Sequence, residues 1–410
     1  MPSLKVLICG GGCAGPALAY WLARTGHDVT IVERFQALRA TGAQIDLRGQ
    51  GIEVVKRMDL DSAIRSKLVD EAGVSFVDSN GKVNATIMAN KSGKGAQSLT
   101  SEYEIMRGDL VRILYEATHQ KVKYMFGTTI ETFEQDDSNH SVFVRFSDGS
   151  YGTYDILIGA DGQGSRIRKA ILPPDSPEPY HKLGIHMAYW FIPRNETDDN
   201  IRRVYLGSQG RMIMRRTHNT AQTQVYFVLK DDSPELSSIP QASVETQKQY
   251  WSARFQDAGW QSSRFLQGME STENWFCQEV VQVQTDTWYK GSVVLLGDAS
   301  SCPSPFSGMG TTASLVGAYV LAGEINRNAN DLPQAFANYD EVFRPFVNEV
   351  QGINTFLLRL TIPQTWWGVA ILRFVGWLLC FIRIPQLVSL FSKERDGDWK
   401  LPDYPELEMN

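Results

Sequence analysis

The sequence predicts an α/β protein in which a parallel sheet with crossover helices is interleaved with a second, mainly β domain. Three observations predict this class. The chain begins with a strand, a glycine-rich turn, a helix and another strand. Two later apolar strands, near 154–159 and 291–296, each run into a turn that carries Gly and Asp, and the segment between them holds short strands separated by polar turns.

The composition is typical of a folded protein that binds a small molecule. The 410 residues are 43% hydrophobic and 21% charged, which suits two or three domains. Lys and Arg total 40 against 46 Asp and Glu, a net charge of -6, so we expect no nucleic-acid partner. The 5 cysteines lack the paired spacings of metal or redox motifs, and the first residues lead into a strand without a secretion signal. We therefore expect a reduced, cytoplasmic chain without a metal.

The first motif is a complete strand, turn, helix and strand unit. The apolar run 6–9 predicts a buried strand, 10–15 reads Gly-Gly-Gly-Cys-Ala-Gly, and 16–25 predicts a helix. A second strand follows at 29–32 and ends in Glu33. This order predicts a Rossmann-type dinucleotide site.

The glycines and the acidic residue of that unit each have a physical role. Gly10 permits the tight turn, Gly12 lets the backbone approach a pyrophosphate, and Gly15 lets helix and strand pack closely. The helix N-terminus offers its N–H groups to the phosphates. Glu33 is placed to accept hydrogen bonds from a ribose 2′-hydroxyl and disfavours a 2′-phosphate, so the bound dinucleotide is FAD or NAD rather than NADP.

The second and third motifs place carboxylates at the ends of strands. Asp161 follows the strand at 154–159, and Asp298 follows the one at 291–296. Open parallel sheets bind their ligands at this edge. A Pro- and Gly-rich loop at 303–312 then leads into an apolar helix, which provides a second helix N-terminus.

These three motifs, in this order, resemble the class A FAD-dependent monooxygenases, the aromatic hydroxylases with the fold of p-hydroxybenzoate hydroxylase. The similarity covers roughly residues 4–350 and is greatest to the branch of tetracycline-inactivating monooxygenases. It implies that the first motif holds the ADP part of FAD and that Asp161 lies near the pyrophosphates. The third motif and its loop would contact the flavin through Asp298, Pro305, Gly308, Gly310 and Thr311.

The resemblance also implies contacts outside the three motifs. Arg107 matches an Arg-x-x-Leu helix start that reaches the FAD phosphates, and Asp46 and Arg48 match a segment under the flavin. Arg34 is a further candidate; for all of these a solvated surface position is the alternative. Ser300 stands where many family members have histidine, and we expect Cys302 to be a small buried side chain rather than a flavin tether.

The predicted organisation interleaves two domains and adds a tail. The Rossmann-type FAD-binding domain comprises 1–72, 98–180 and 276–350, the β-sheet substrate domain 73–97 and 181–275, and a C-terminal helical extension 351–410. Candidate substrate contacts are His186, Tyr189, Trp190, Arg215 and Tyr226, with His186 nominated as a base. Ordinary core or solvated positions are the alternative for each, because one sequence does not fix which face of the sheet points inward.

The segment 356–391 is strongly apolar, with arginine as its charged residue type. Arg373 and Pro385 interrupt it, which disfavours a spanning helix. Three interpretations stay open: an amphipathic helix that covers the domain junction, a peripheral membrane contact, and an oligomer interface.

The resemblance implies a mechanism. NADPH or NADH reduces FAD, O2 is taken up, and a flavin C4a-hydroperoxide hydroxylates a small aromatic or polycyclic substrate of secondary metabolism. The sequence has a single dinucleotide-binding motif, which we assign to FAD, and this fits a nicotinamide cofactor that binds only transiently. The alternatives are an epoxidase or Baeyer–Villiger-type oxygenase, a flavin halogenase or prenyl-lipid reductase, and a non-catalytic dinucleotide-fold binding protein.

Overall fold

The computed structural model describes residues 3–89, 102–136, 140–217, 219, 221–382 and 399–408. Its strands are β1 Lys5–Cys9, β2 Asp28–Glu33, β3 Gln44–Leu47, β4 Gly73–Val77, β5 Val83–Met88, β6 Tyr103–Met106, β7 Lys123–Phe126, β8 Ile130–Asp136, β9 Ser141–Phe146, β10 Tyr151–Tyr154, β11 Ile156–Gly159, β12 Tyr180–Pro193, β13 Ile201–Leu206, β14 Arg211–Thr217, β15 Gln222–Lys230, β16 Phe276–Val283, β17 Tyr289–Lys290 and β18 Val293–Leu295. Its α-helices are α1 Ala14–Arg24, α2 Gly49–Arg57, α3 Asp61–Arg65, α4 Arg107–Glu116, α5 Arg166–Ile171, α6 Pro234–Ser238, α7 Val244–Phe255, α8 Ser262–Ser271, α9 Gly310–Arg327, α10 Leu332–Gln351, α11 Thr355–Leu360 and α12 Trp366–Phe381.

The first domain is built on a six-stranded sheet in the order β17-β18-β11-β1-β2-β7. β1 pairs in parallel with β2 and β11, and β7 and β18 extend the sheet in parallel on the two sides. Val6 and Ile8 face a core shared with α1, α9 and α10, whereas Leu7 and Cys9 face a core shared with β8 to β10. Because both faces are covered, the strands are the continuous apolar runs from which the sequence predicted them.

The second domain is a seven-stranded sheet in the order β16-β12-β15-β14-β13-β4-β5. All neighbours pair antiparallel except β13 and β4, which are parallel. β4 and β5 come from early in the chain, so the interleaving predicted from the sequence is present. The predicted boundary at 276 differs by one strand: β16 pairs with β12, Met187 opposite Gln278, and therefore lies in the second sheet. An apolar strand alone does not tell which of two sheets it joins.

The C-terminal part runs from one domain back to the other. One face of α12 packs on β5 and lines the large cavity through Leu372, Val375 and Leu379. Its outward face exposes Trp366, of which 76% is accessible, and Phe374, of which 60% is accessible. Covering the cavity side of the second sheet agrees with the first of the three interpretations; membrane contact stays a prediction, and the predicted run beyond 382 lies outside the described residues. Among the described helices, none combines the length and apolar character needed to cross a membrane.

The last described residues, 399–408, are part of the first domain rather than of a helical extension. The Tyr404 ring occupies the space beside Gly323, where an added Cβ would lie 2.3 Å from it, and its hydroxyl donates to Glu324 at 2.7 Å. Tyr404 and Leu407 are buried in the core around α9. The helical prediction for 351–410 therefore holds for α11 and α12 but not for this end segment, whose apolar side chains are spaced by prolines and carry no helical period.

Candidate active site

A cavity of about 1660 Å³ lies between the glycine turn of the first domain and one face of the second sheet. Sites for one drug-sized ligand measure roughly 300–1,000 Å³, so this cavity has room for a dinucleotide and a second molecule. The predicted cofactor-binding residues that line it are Gly10, Gly12, Glu33, Arg34, Asp46, Arg48, Arg107, Asp161, Asp298, Pro305, Gly308, Gly310 and Thr311. Gly15 lies behind them, where helix and turn meet.

Glycine is required at two positions of the first turn. Gly10 has φ of +125°, and a Cβ there would lie 2.2 Å from the carbonyl oxygen of Ala160. A Cβ on Gly15 would lie 2.1 Å from the carbonyl oxygen of Gly10. Both contacts are with backbone atoms, which do not move aside. The turn is therefore held against the end of β11, and α1 starts close to it.

Glu33 fixes the turn as well as facing the cavity. Its Oε2 accepts from the N–H of Gly11 at 2.8 Å, and its Oε1 accepts from the N–H of Phe35 at 3.1 Å. Arg34 is exposed at the rim, with its guanidinium 5.0 Å from the ring centre of Phe35. A carboxylate at the end of β2 in this position is where a ribose hydroxyl would be recognised.

Arg107 begins α4 and reaches over the glycine turn. Its Nη1 donates to the carbonyl of Thr41 at 3.0 Å, and its Nη2 lies 3.3 Å from where a Cβ on Gly12 would be. A guanidinium beside exposed backbone N–H groups and a helix N-terminus forms a site for a pyrophosphate. The Arg-x-x-Leu similarity implies that Arg107 contacts the FAD phosphates here, and this contact stays a prediction.

Asp161 serves the fold directly. Its Oδ1 accepts from the Ser165 hydroxyl at 2.5 Å and its Oδ2 accepts from the N–H of Arg166 at 2.8 Å, which caps α5. The same residue lines the cavity. The carboxylate therefore holds the second motif in shape at the cavity wall.

Asp298 and Cys302 form the floor of the cofactor half. Removal from water raises the pKa of Asp298, and the Arg107 charge and the Cys302 thiol oppose this rise. Burial and the nearby carboxylate raise the pKa of the Cys302 thiol well above its usual value. Cys302 is 7% exposed, so it is the small buried side chain that was expected from the sequence.

The loop of the third motif approaches β3 closely. Gly308 has φ of +65°, and a Cβ on it would lie 3.6 Å from Oδ2 of Asp46 and 3.8 Å from Nε of Arg48. Asp46 and Arg48 are joined by an ion pair of 3.0 Å, and the buried Arg48 Nε has no hydrogen-bond partner among the described residues. α9 begins at Gly310, and in the part of the chain that the structure describes no side chain caps it, so its first N–H groups can bind an electron-rich group. These donors fit the pyrimidine edge of a flavin.

The alternation of β12 separates the predicted substrate contacts. Met187, Tyr189 and Phe191 line the cavity, and the centre of the Tyr189 ring lies 4.7 Å from that of Phe276 with the two planes tilted by 32°. Trp190 points to the opposite face, where its Nε1 donates to the carbonyl of Phe265 at 3.1 Å. Tyr189 is therefore a cavity residue and Trp190 a core residue.

The structure contradicts the nomination of His186 as a substrate base. His186 is 1% exposed, does not line the cavity, and has its Nε2 4.0 Å from a Glu279 oxygen. Burial lowers the pKa of His186, and the Glu279 charge opposes this, so the ring is neutral behind the sheet. The sequence did not reveal that even-numbered residues of this part of β12 face away.

Arg215 is likewise corrected, and its neighbour takes the cavity position. Arg215 is 3% exposed and forms ion pairs of 2.7 Å with Asp198 and with Asp199 behind the sheet. Arg216 lines the cavity together with Tyr226, whose hydroxyl donates to Gln224 at 2.8 Å. Adjacent residues of a strand point to opposite faces, so placing one arginine in the core places the other in the cavity.

Sequence reasoning missed a polar group at one end of the cavity. It consists of Gln44, Arg202 and Arg216 on the cavity surface, with Glu71 and Glu104 behind them. The sequence did contain a signal for the two arginines. Every second residue of β13 and of β14 lines the cavity, and Arg202 and Arg216 are the charged members of these otherwise apolar sets. The two glutamates carry no such pattern.

Comparisons with known proteins agree with this geometry. The model of the family described as FAD binding domain matches residues 3–349. The FAD-dependent monooxygenase asL4 of Sarocladium schorii is 40% identical over 429 residues, covering 99% of each chain, and the flavin-dependent monooxygenase eupH of Phoma sp. is 40% identical over 426 residues, covering 98% of each. The solved structure of tetracycline destructase Tet(51) has a TM-score of 0.78 and 29% identity over 98% of this chain and 100% of that one. The chain therefore belongs to the FAD binding domain family and is an FAD-dependent monooxygenase.

Proposed function

We propose that this enzyme uses NADPH or NADH to reduce its FAD and transfers one oxygen atom of O2 to a small, largely apolar aromatic or polycyclic substrate. The observation that carries the proposal is the division of the cavity into a half rich in glycine and charge and a half lined by apolar side chains. FAD supplies the electron and oxygen chemistry when it is bound. The chain's own residues bind, orient and exclude water.

The first domain supplies the residues that would hold FAD. Arg107 and the turn at Gly12 suit the pyrophosphate, Glu33 suits the adenosine ribose, and the N-terminus of α9 suits the flavin ring. On the substrate side, Leu372 and Leu379 of α12 line the cavity. Such a wall keeps water from the reacting atoms and so limits loss of the oxygen as hydrogen peroxide.

The substrate half supports a ring system as the substrate. Its lining side chains are Met187, Tyr189, Phe191, Met212, Met214, Tyr226, Val228 and Phe276. Flexible thioethers adapt to irregular apolar shapes, and aromatic rings stack on planar ones. The similarity to a protein named a tetracycline destructase supports a substrate of several rings.

The cofactor assignment is tested by Asp298→Ala, which removes the carboxylate at the cavity floor. We expect the purified wild-type protein to be yellow with a flavin absorption spectrum, and the variant to bind FAD about tenfold more weakly. Asp148→Ala changes a carboxylate in an exposed turn and is the control. Equal FAD content in all three proteins would argue against the assignment.

The reaction is tested by screening aromatic metabolites for faster NADPH or NADH oxidation. We expect a stimulating compound to give a product that is heavier by one oxygen atom, which carries the label when labelled O2 is used. Halogenation without added oxygen, or NADPH oxidation that yields hydrogen peroxide with every compound, would contradict the proposal.

A further inference from the structure

The polar end of the substrate cavity is built around one guanidinium. The Arg216 Nε donates to Oε2 of Glu71 at 2.9 Å, and its Nη2 donates to Oε1 of Glu71 at 3.2 Å and to Oε1 of Glu104 at 2.8 Å. A guanidinium has five N–H donors, so two remain, both on Nη1. Among the described residues Nη1 has no hydrogen-bond partner. It is also absent from the buried side-chain atoms that lack a partner, so it is accessible, and Arg216 lines the cavity. These two donors therefore face the cavity.

The two glutamates are held by residues that line the cavity and do not themselves line it. Glu71 and Glu104 are 7% and 1% exposed. Arg202 Nε donates to Glu71 at 3.0 Å, and the Gln44 side-chain amide donates to Glu104 at 2.7 Å. The guanidinium of Arg216 is thus clamped along one edge by two carboxylates, while its other edge is left for a ligand.

The charges of this cluster favour an anion more strongly when Glu104 is protonated. Burial and the Glu71 and Asp46 charges raise the pKa of Glu104 to about 8, and the Arg216 and Arg202 charges oppose this rise. Arginine stays charged throughout. With Glu104 protonated, two arginines face one glutamate, so the cluster carries one excess positive charge; the Asp46 charge is balanced by Arg48 at 3.0 Å.

We infer that Arg216, positioned by Glu71 and Glu104, binds an acidic oxygen group of the substrate, a carboxylate or an ionised enol or phenol, while the apolar remainder lies along the Met and aromatic lining. This inference rests on the proposed function and narrows its substrate class. Paired N–H donors on one nitrogen, next to an apolar wall, match an oxygen anion better than a neutral ring, and charge-assisted bonds are the strong ones. Arg216 is the binding residue, and Glu71 and Glu104 are positioning residues.

The test compares two probes of one shape, 2-naphthoate and 2-naphthamide, titrated into the FAD-loaded enzyme by calorimetry. We expect naphthoate to bind at least tenfold more tightly than naphthamide at pH 6.5. Arg216→Met should remove this preference and leave naphthamide binding unchanged. Equal binding of the two probes to the wild-type enzyme would overturn the inference, as would an equal loss of both probes in the variant at full FAD content.

A pH series tests the role of Glu104. Its ionisation restores a competing negative charge, so naphthoate affinity should fall several-fold as the pH rises from 6.5 to 9. In Glu104→Gln this fall should disappear, which a purely structural role would not produce. An unchanged pH dependence in Glu104→Gln would refute the assignment of Glu104.

Two features keep the outcome interpretable. Arg216→Met leaves the Glu71 and Glu104 carboxyl groups without the guanidinium between them, so the double variant Arg216→Met/Glu104→Gln, in which residue 104 is uncharged at every pH, is the second test and should show the same lost preference. Probe binding requires no turnover. Failure of oxygen transfer with intact probe preference would therefore count against the proposed reaction, and lost preference in an enzyme that still oxygenates would count against this subsite.

Discussion

The two halves of the cavity are formed by different parts of the polypeptide: one mainly by backbone and the other mainly by side chains. The cofactor half is formed by backbone: a turn held against β11 through Gly10, a second turn at Gly308, and the uncapped N-terminus of α9. The substrate half is formed by side chains that project from one face of a seven-stranded sheet. Backbone sites need particular residues at particular spacings, whereas a side-chain wall needs only suitable residues at every second position. The cofactor half therefore tolerates few substitutions, whereas the side chains of the substrate half can change without disturbing the backbone.

The largest expected effect comes from Gly10→Ala, which tests whether the cofactor half depends on backbone. The added Cβ would lie 2.2 Å from the Ala160 carbonyl oxygen in a residue with φ of +125°. Strain at such a position costs on the order of 1–3 kcal/mol before the clash is counted, so we expect FAD to bind at least about 100-fold more weakly. The measurement is FAD titration of the purified apoprotein.

The matched control for this change is Gly164→Ala. Gly164 also lines the cavity, but an added Cβ there meets no atom within 4 Å. Its FAD affinity should stay at the wild-type value. A Gly10→Ala protein that retains stoichiometric FAD would show that the turn tolerates a side chain and that the backbone argument is wrong.

The next effect concerns the support behind the substrate half. Arg215→Met removes a buried guanidinium that pairs with Asp198, which is itself 0% exposed. Breaking a buried pair costs about 3–5 kcal/mol, and Arg264 remains beside Asp198 at 2.6 Å, so we expect a loss of about 3 kcal/mol in unfolding free energy. FAD affinity should not change. Denaturant unfolding of the FAD-loaded protein measures the first quantity and flavin titration the second.

Arg145→Met is the control for the buried pair. Its partner is Glu131 at 3.2 Å, and both side chains are more than half exposed, so the change should cost less than about 1 kcal/mol. If Arg215→Met instead left stability intact and weakened binding of a cavity probe, Arg215 would be a substrate contact and the assignment of the two faces would be reversed.

The same contrast explains what the sequence alone could predict. The first motif, the two turns that carry Asp161 and Asp298, and the strands of the second sheet apart from β16 appear where the patterns place them, because glycine turns and apolar runs are local signals. The residues that were misplaced, His186 and Arg215, were chosen on the correct strands but on the wrong face. A strand that is buried on both faces has no polar side to mark which direction is inward. The cluster of Glu71 and Glu104 was missed because it forms between strands distant in the chain.

The smallest effect, and the sharpest test of the two faces, compares neighbours on β12. Tyr189→Leu removes a ring whose centre lies 4.7 Å from that of Phe276 in the cavity wall, and an aromatic pair contributes about 0.5–1.5 kcal/mol. We expect 2-naphthamide to bind about two- to tenfold more weakly to this variant, with FAD affinity unchanged. His186→Gln alters a side chain three positions earlier that is 1% exposed and lies behind the sheet, so it should leave both affinities unchanged. Should His186→Gln abolish oxygen transfer while FAD and probe binding remain intact, a base on the hidden face would have to reach the cavity by a movement of β12.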